Sequence, residues 1–123
     1  MAAHNELGKQ GEAFARQYLI DKGYRILETN WRSGHWEIDI IAQKDDFLSI
    51  IEVKTRATND FGYPEEFIDK RKMENLLKAA EDYIQQSNEW QGVRFEVIAL
   101  TQNGDTFDVE HFEDAFDAAS ITG

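Results

Sequence analysis

The sequence contains no cysteine, which excludes a disulfide framework and a metal site built on thiolates. It also lacks an apolar run of eighteen residues and the pattern of a signal peptide, so we expect a cytoplasmic protein that does not enter a membrane. No repeat, phosphate-cradling glycine loop or Ser/His/Asp arrangement is evident. The 123 residues fit one domain, residues 1–123, that is long enough to bury a core.

Basic residues are scarce, because 13 Lys and Arg stand against 24 Asp and Glu, which gives a net charge of −11. Proteins that bind nucleic acid usually carry a basic surface. Residues 1–72 hold 11 basic and 13 acidic residues, whereas residues 73–123 hold 2 and 11. Affinity for bare DNA should therefore be modest, and phosphate contacts are expected from the first part. The candidates are Lys9, Arg16, Arg25, Arg32, Arg56 and the basic run 70–72, which is also typical of a solvated helix start.

Residues 47–53 predict a strand buried between two layers, since apolar side chains occupy both of its faces. Glu52 and Lys54 fall on the same face as Leu48 and Ile50, because strand side chains alternate with period two. Burying a charge is costly unless the charge is paired or binds a metal. Glu52 and Lys54 are therefore candidates for chemistry.

A second apolar strand, residues 38–42, comes just before and carries Asp39. If the two aspartates at 45 and 46 form a two-residue loop, Asp39 lies directly opposite Glu52, with the Cβ atoms about 4.5–5.5 Å apart. Glu37 would face Lys54 in the same register, and a slip of one residue would separate the two acids. Opposed carboxylates repel unless a cation or a shared proton lies between them. A divalent ion is the more economical explanation.

The spacing of these acids resembles the D…(D/E)xK pattern of the PD-(D/E)XK, restriction-endonuclease-like superfamily of nucleases. More narrowly, the chain resembles the YraN-like family of uncharacterised bacterial proteins, whose relatives in fold include archaeal Holliday-junction resolvases. Trp36 departs from the pattern, because many relatives have glycine there. This difference affects the expected shape of the cleft mouth and leaves the metal ligands unchanged. Five blocks in the same order carry the resemblance: GKQGEAFARQYL (8–19), GYRILETNWR (23–32), EIDIIA (37–42), IIEVKTR (50–56) and YPEEF (63–67).

This resemblance implies an α/β, restriction-endonuclease-like single domain with a central mixed β-sheet of about five strands flanked by helices. It also implies that Asp39 and Glu52 bind Mg²⁺ or Mn²⁺ and that Glu12 completes the metal shell, directly or through water. Lys54 would orient the attacking water or stabilise the transition state. Lys72 matches a lysine that recurs in the second helix of the family, and with Arg56 and Arg32 it is a candidate phosphate contact. Without the resemblance, the pattern favours a solvated Glu12 at the edge of the apolar stripe of the helix.

The predicted function is a metal-dependent DNA endonuclease that acts on structured or branched DNA, in the manner of the related resolvases. The alternative is a nuclease fold that serves as a nucleic-acid-binding or protein-binding module in DNA processing, with little or no cleavage. Because the related resolvases are dimers, we also expect self-association through the hairpin and through the loop 57–64, which holds Phe61 and Tyr63.

The remaining pattern predicts two helices, residues 5–22 and 69–87, and three further strands, residues 24–32, 93–101 and 106–112, with a turn at Asn103-Gly104. Gly8 and Gly11 each cost about 1 kcal/mol inside the first helix, so something should need the close approach that they permit. Trp31 and Trp36 would be half-buried packing residues or stacking platforms for bases. His4, His35 and His111 have no metal-ligand spacing and are expected on the surface.

Overall fold

The computed structural model describes residues 2–57, 70–86 and 90–116. Helix α1 spans Ala2–Asp21 and helix α2 spans Lys70–Ile84. The strands are β1 (Arg25–Ser33), β2 (Trp36–Lys44), β3 (Phe47–Arg56), β4 (Gly92–Asn103) and β5 (Thr106–Phe116). The first helix begins three residues earlier than its predicted start, and β5 continues four residues beyond its predicted end. The order of elements agrees with the sequence pattern throughout.

The five strands form one sheet in the order β1-β2-β3-β4-β5. Three of the pairings are antiparallel, and β3 pairs with β4 in parallel. Parallel neighbours need a crossover connection, and here the crossover contains α2. The prediction of an α/β fold with a mixed sheet of about five strands flanked by helices is therefore confirmed.

Each face of the sheet packs against one helix, so the core has two layers. The α1 side holds Ala15, Leu19, Tyr24, Ile40, Ala42, Ile51, Ile98 and Leu100. The α2 side holds Ile38, Ile41, Leu48, Ile50, Leu76, Ala79, Ala80, Tyr83, Phe95 and Val97. The predicted burial of β3 on both faces follows from this arrangement, because its odd-numbered residues face α1 and its even-numbered residues face α2.

All three hairpins have loops of two residues, and the first loop residue has a positive φ in each. These residues are Gly34 (φ 60°), Asp45 (φ 55°) and Gly104 (φ 62°). Lys44 pairs with Phe47 across the second loop, so the predicted register of β2 and β3 is confirmed at that point. Asn103 pairs with Thr106, so the third loop is Gly104-Asp105, one residue later than the predicted turn.

Gly11 is the contact point between α1 and β3. A Cβ atom at this position would overlap the side chain of Thr55, whereas a Cβ at Gly8 would meet nothing within 4 Å. The prediction that a glycine permits a close approach is therefore confirmed for Gly11 and wrong for Gly8. Because Glu12 follows Gly11, this contact also fixes how far Glu12 lies from the sheet.

Some predictions lie outside the described residues, among them the loop that holds Phe61 and Tyr63 and the start of the second helix at Asp69. Self-association through that loop stays a prediction. Neither described helix combines the length and the apolar character that a membrane crossing requires.

Candidate functional site

The candidate site lies where β2 and β3 stop pairing. Their ladder runs from Lys44↔Phe47 to Ile40↔Ile51, and the next position in this register places Asp39 opposite Glu52. Asp39 Oδ2 accepts a hydrogen bond of 2.9 Å from the backbone N–H of Val53. A side chain thus takes the place of a backbone partner at the end of the ladder, and this bond holds the Asp39 carboxylate beside β3.

The alternation of side chains between the two faces of β2 is interrupted at Asp39. Ile40 and Ala42 pack on the α1 side, whereas Ile38 and Ile41 both pack on the α2 side. Strict alternation would put Ile38 and Ile40 on the same face. The interruption falls between them, at Asp39, which is the residue that the metal-site hypothesis singled out.

Asp39 and Glu52 are close enough to share a proton. Partial burial, then a hydrogen bond with Glu52 and the charge of that residue, raise the pKa of Asp39 to about 8. The Val53 N–H and the Lys72 ammonium oppose this rise. Glu52 is 4% exposed. Two carboxyl groups in this position cannot both ionise without a compensating cation.

Lys72 reaches this pair from helix α2, with its Nζ 3.1 Å from Glu52 Oε2. Burial lowers the pKa of Lys72, but Glu52, Asp39 and Glu37 outweigh that effect and the pKa is raised. Its neighbours Lys70 and Arg71 are exposed. The basic run therefore has two parts, a solvated start of the helix and one ammonium directed to the acids.

Glu37 does not face Lys54 as the extended register predicted. The β2–β3 ladder ends before that position, and Glu37 pairs instead with Arg32 across β1 and β2. Arg32 Nε lies 3.1 Å from Glu37 Oε2, with the side chains 72% and 38% exposed. The predicted Glu37–Lys54 pairing is wrong because β2 leaves β3 at Asp39.

Lys54 and Arg56 follow Glu52 along β3 on the same face. Lys54 is half-buried. Arg56 Nε donates a hydrogen bond of 3.2 Å to Thr101 Oγ1 on β4, which holds the guanidinium group beside β4. Strand geometry puts Lys54 next to the acids and Arg56 roughly 13 Å beyond Glu52.

Glu12 lies near the pair without joining it. Its pKa is raised, first by burial and then by the charge of Asp39, and lowered in part by a hydrogen bond with Asn30 and by Arg16. Across the described residues, no three Asp, Glu, His or Cys side chains are gathered in a geometry that would hold one metal ion. The structure therefore brings together Asp39 and Glu52, and the charges of Asp39 and Glu12 also affect each other.

A second polar cluster, which the sequence pattern did not reveal, lies on the α1 side. Glu96 accepts hydrogen bonds from Tyr24 Oη (2.9 Å) and pairs with His111 Nε2 (2.6 Å), and His111 Nδ1 contacts Tyr18 Oη at 3.2 Å. The Glu96 side chain is 0% exposed and that of His111 is 8% exposed. The prediction of a surface His111 is wrong.

The signal for this buried histidine was available in the strand alternation. His111 lies two and four residues after Val109 and Phe107, which pack on the α1 core. Residues at this spacing share a face. Burial and the charge of Glu96 also raise the pKa of Tyr24, which keeps its hydroxyl protonated and able to donate.

The two tryptophans that flank the first hairpin are half-buried packing residues. Trp31 contacts the Tyr83 ring edge-on, with the centroids 5.2 Å apart. Trp36 Nε1 donates a hydrogen bond of 2.9 Å to Asn75 Oδ1 on α2. Trp36 thus joins the hairpin to the helix next to the acids.

Comparison with known proteins agrees with the motif blocks. The model of the uncharacterised protein family UPF0102 matches residues 11–100. A UPF0102 protein of Flavobacterium psychrophilum is 48% identical over 116 residues, which cover 94% of this chain and 98% of that protein. A UPF0102 protein of Flavobacterium johnsoniae is 45% identical over 120 residues, again covering 94% and 98%.

Among solved structures, the chain is similar to that of Pyrococcus furiosus SfsA in complex with Ca²⁺. The TM-score is 0.43 and the sequence identity is 16%, and the match covers 88% of this chain and 62% of SfsA. The chain thus spans less than two thirds of the length of SfsA. The family match and the curated relatives, by contrast, cover most of this chain. The chain therefore belongs to the uncharacterised protein family UPF0102, the YraN-like family that its five motif blocks indicated.

Proposed function

We propose that this protein is a metal-dependent endonuclease that hydrolyses phosphodiester bonds in DNA, with Asp39 and Glu52 as the ligands of Mg²⁺ or Mn²⁺. The observation that carries the proposal is the opposed, partly buried carboxylate pair at the end of the β2–β3 ladder. A protein that serves only as a scaffold has no need of two adjacent acids, where burial first, and then the hydrogen bond and the charge of Glu52, raise the pKa of Asp39 to about 8.

The donor set fits a hard divalent cation. Two carboxylates offer up to four oxygen atoms, and Mg²⁺ and Mn²⁺ prefer oxygen ligands. A cation would take the place of the shared proton and remove the repulsion between Asp39 and Glu52. Such an ion, when bound, lowers the pKa of a coordinated water and neutralises the charge that develops on the phosphate.

The surrounding side chains would handle the substrate. Lys54, on the face of Glu52, would orient the attacking water or stabilise the charge of the transition state. Glu12 would contribute at a distance, through a bridging water that its position near Asn30 allows. Lys72 and Arg56 would contact phosphates on either side of the acids, because both lie on the α2 side of the sheet.

The direct test is calorimetric titration of the parent with Mn²⁺, followed by the same titration of Asp39→Asn. We expect binding by the parent and none by the variant. Asp105→Asn is a matched control, since it removes one exposed aspartate from the β4–β5 loop and should bind Mn²⁺ as the parent does. Equal binding by all three proteins would overturn the assignment of the ligands.

Cleavage is tested with Mg²⁺ or Mn²⁺ on branched, flapped, single-stranded and linear DNA. Preference for the branched substrate would support the likeness to junction resolvases and the proposed dimer. A second candidate function is binding without cleavage, which is favoured by the net charge of −11 and by the ammonium of Lys72 on Glu52. If the parent binds one of these DNA forms and cuts none, this second function replaces the first.

A further inference from the structure

A cavity of about 230 Å³ lies between the first hairpin and helix α2, beside the carboxylate pair. The hairpin contributes Arg32, His35, Trp36 and Glu37 to its walls, and the helix contributes Lys72 and Asn75. Lys72 also contacts Glu52. The cavity therefore adjoins the acids, with one lysine common to both.

The side chains that line this cavity carry a local excess of positive charge. Among the described lining residues, Arg32 and Lys72 are cationic and Glu37 is acidic, in a chain whose net charge is −11. Glu37 binds the Nε of Arg32, which is one of five donors on a guanidinium. The carboxylate thus orients Arg32, whose side chain is 72% exposed and can present its remaining donors to a ligand.

The walls of the cavity are fixed by hydrogen bonds between the hairpin and the helix. Trp36 Nε1 donates to Asn75 Oδ1 at 2.9 Å, and Ser33 Oγ donates to Asp82 Oδ2. Because the Asn75 oxygen is occupied, its amide NH₂ group is the part that can serve a ligand as a donor. A volume of this size holds roughly seven or eight waters, which is enough for one phosphate group with its hydration.

We propose that this cavity is a phosphate subsite, which binds the phosphate adjacent to the one attacked at Asp39 and Glu52. The identity of the ligand as a nucleic-acid strand rests on the proposed function, whereas anion binding does not. Arg32 supplies a planar fork that matches phosphate oxygens, and Lys72 supplies a point charge between the subsite and the acids. The subsite provides this strongly acidic protein with a local binding site for a nucleic-acid strand.

Binding can be measured without metal and without cleavage. The probes are inorganic phosphate, a dinucleotide with a 5′-phosphate and the same dinucleotide without it. The reporter is the indole N–H of Trp36 in ¹⁵N NMR spectra, which is assigned by its loss in Trp36→Phe. We expect this signal to shift in a saturable way with millimolar phosphate and with the dinucleotides.

Three charge variants locate the site. Arg32→Gln should weaken binding on the order of tenfold, since it removes a charged bidentate donor. Glu37→Gln should tighten binding by about threefold, because it removes the negative charge near the anion and keeps an oxygen that can accept from the Arg32 Nε–H. Lys22→Gln is the control: it removes an exposed cation that does not line the cavity, and should leave binding unchanged.

The outcomes separate this inference from the proposed function. Tighter binding of the 5′-phosphorylated dinucleotide would assign the subsite to the phosphate at a strand end. Equal binding of the two dinucleotides would assign it to internal phosphates. Both results support the phosphate subsite. No shift of the Trp36 signal with any probe, or equal effects of Arg32→Gln and Lys22→Gln, would overturn it. A shift with inorganic phosphate and none with the dinucleotides would overturn its assignment to a nucleic-acid strand. If the parent binds the probes as expected yet neither binds Mn²⁺ nor cuts DNA, the proposed function fails and the subsite remains.

Discussion

Lys72 of helix α2 forms an ion pair of 3.1 Å with Glu52 of β3, whose side chain is only 5% exposed. Breaking a buried pair from one side leaves a charge without compensation. We predict that Lys72→Met lowers the free energy of unfolding by about 1–3 kcal/mol, a range reduced because Lys72 itself is partly exposed.

Urea denaturation in the presence of a chelator measures this loss. The loss should fall below about 1 kcal/mol when Lys72→Met is made in a Glu52→Gln background, since the acid no longer needs a partner. Equal losses in both backgrounds would show that Lys72 stabilises the fold by packing and not by its charge.

Asp39 should make the metal-free protein less stable as the pH rises. Its folded-state pKa of about 8 is above the unfolded value near 3.9, so the folded state binds the extra proton between these two pH values. The stabilisation is complete below about pH 4 and is lost as the pH rises through 8. Asp39→Asn should therefore match the parent below about pH 4 and exceed it in melting temperature at pH 8.5. The same slope in both proteins would assign the pH dependence to other groups.

A substitution of Lys54 distinguishes a role in DNA cleavage from a role in metal binding. Its ammonium is expected to act mainly in the transition state, so Lys54→Ala should reduce cleavage by about 10²- to 10³-fold while Mn²⁺ affinity stays within twofold. Single-turnover cleavage and calorimetry provide the two readings. If the parent cuts DNA and Lys54→Ala cuts it equally fast, the role assigned to Lys54 is wrong.

The buried cluster on the α1 side should matter for stability and not for the acids on the other face. Among the described residues, His111→Phe leaves buried Glu96 with Tyr24 as its remaining hydrogen-bond donor, so we expect a loss of about 2–4 kcal/mol in the free energy of unfolding. His35→Phe, at an exposed position, is the matched control and should change it by less than about 0.5 kcal/mol. Similar effects of the two substitutions would contradict the buried role of His111.

The two glycines of α1 should respond in opposite directions to the same change. Gly8→Ala should stabilise the protein by about 0.5–1 kcal/mol, because its Cβ meets nothing and alanine favours the helix. Gly11→Ala should destabilise it by about 1–3 kcal/mol, because Thr55 must move. Thermal denaturation of both variants is sufficient, and stabilisation by Gly11→Ala would show that α1 is not in close contact with β3.

The sequence allowed the Asp39–Glu52 juxtaposition to be predicted because both residues belong to one hairpin, where a two-residue loop sets the register over a few residues. Gly11 was likewise recognised through a local cost. The pairs Lys72–Glu52 and Arg32–Glu37 were not predicted. The first depends on the crossover through α2, and the second depends on the point at which β2 leaves β3. His111 was predicted on the surface because the histidines have no metal-ligand spacing, whereas the alternation of β5 places it on the same face as Phe107 and Val109, in the α1 core.

The order of the strands has a consequence for folding. β1, β2 and β3 are consecutive antiparallel neighbours, so the two acids come together through contacts that are short in sequence and close quickly. Their counter-charge, Lys72, belongs to the crossover and arrives with the parallel pairing of β4, which is a slower event. The repulsion between the acids thus destabilises the three strands β1–β3 when they form alone. Lys72, from the later half of the chain, relieves this repulsion, so the two halves are expected to fold in one cooperative transition. Native-state hydrogen exchange of Ile40 and Ile51 at the free energy of global unfolding would agree with this order, whereas exchange of β1–β3 as a separate unit would contradict it.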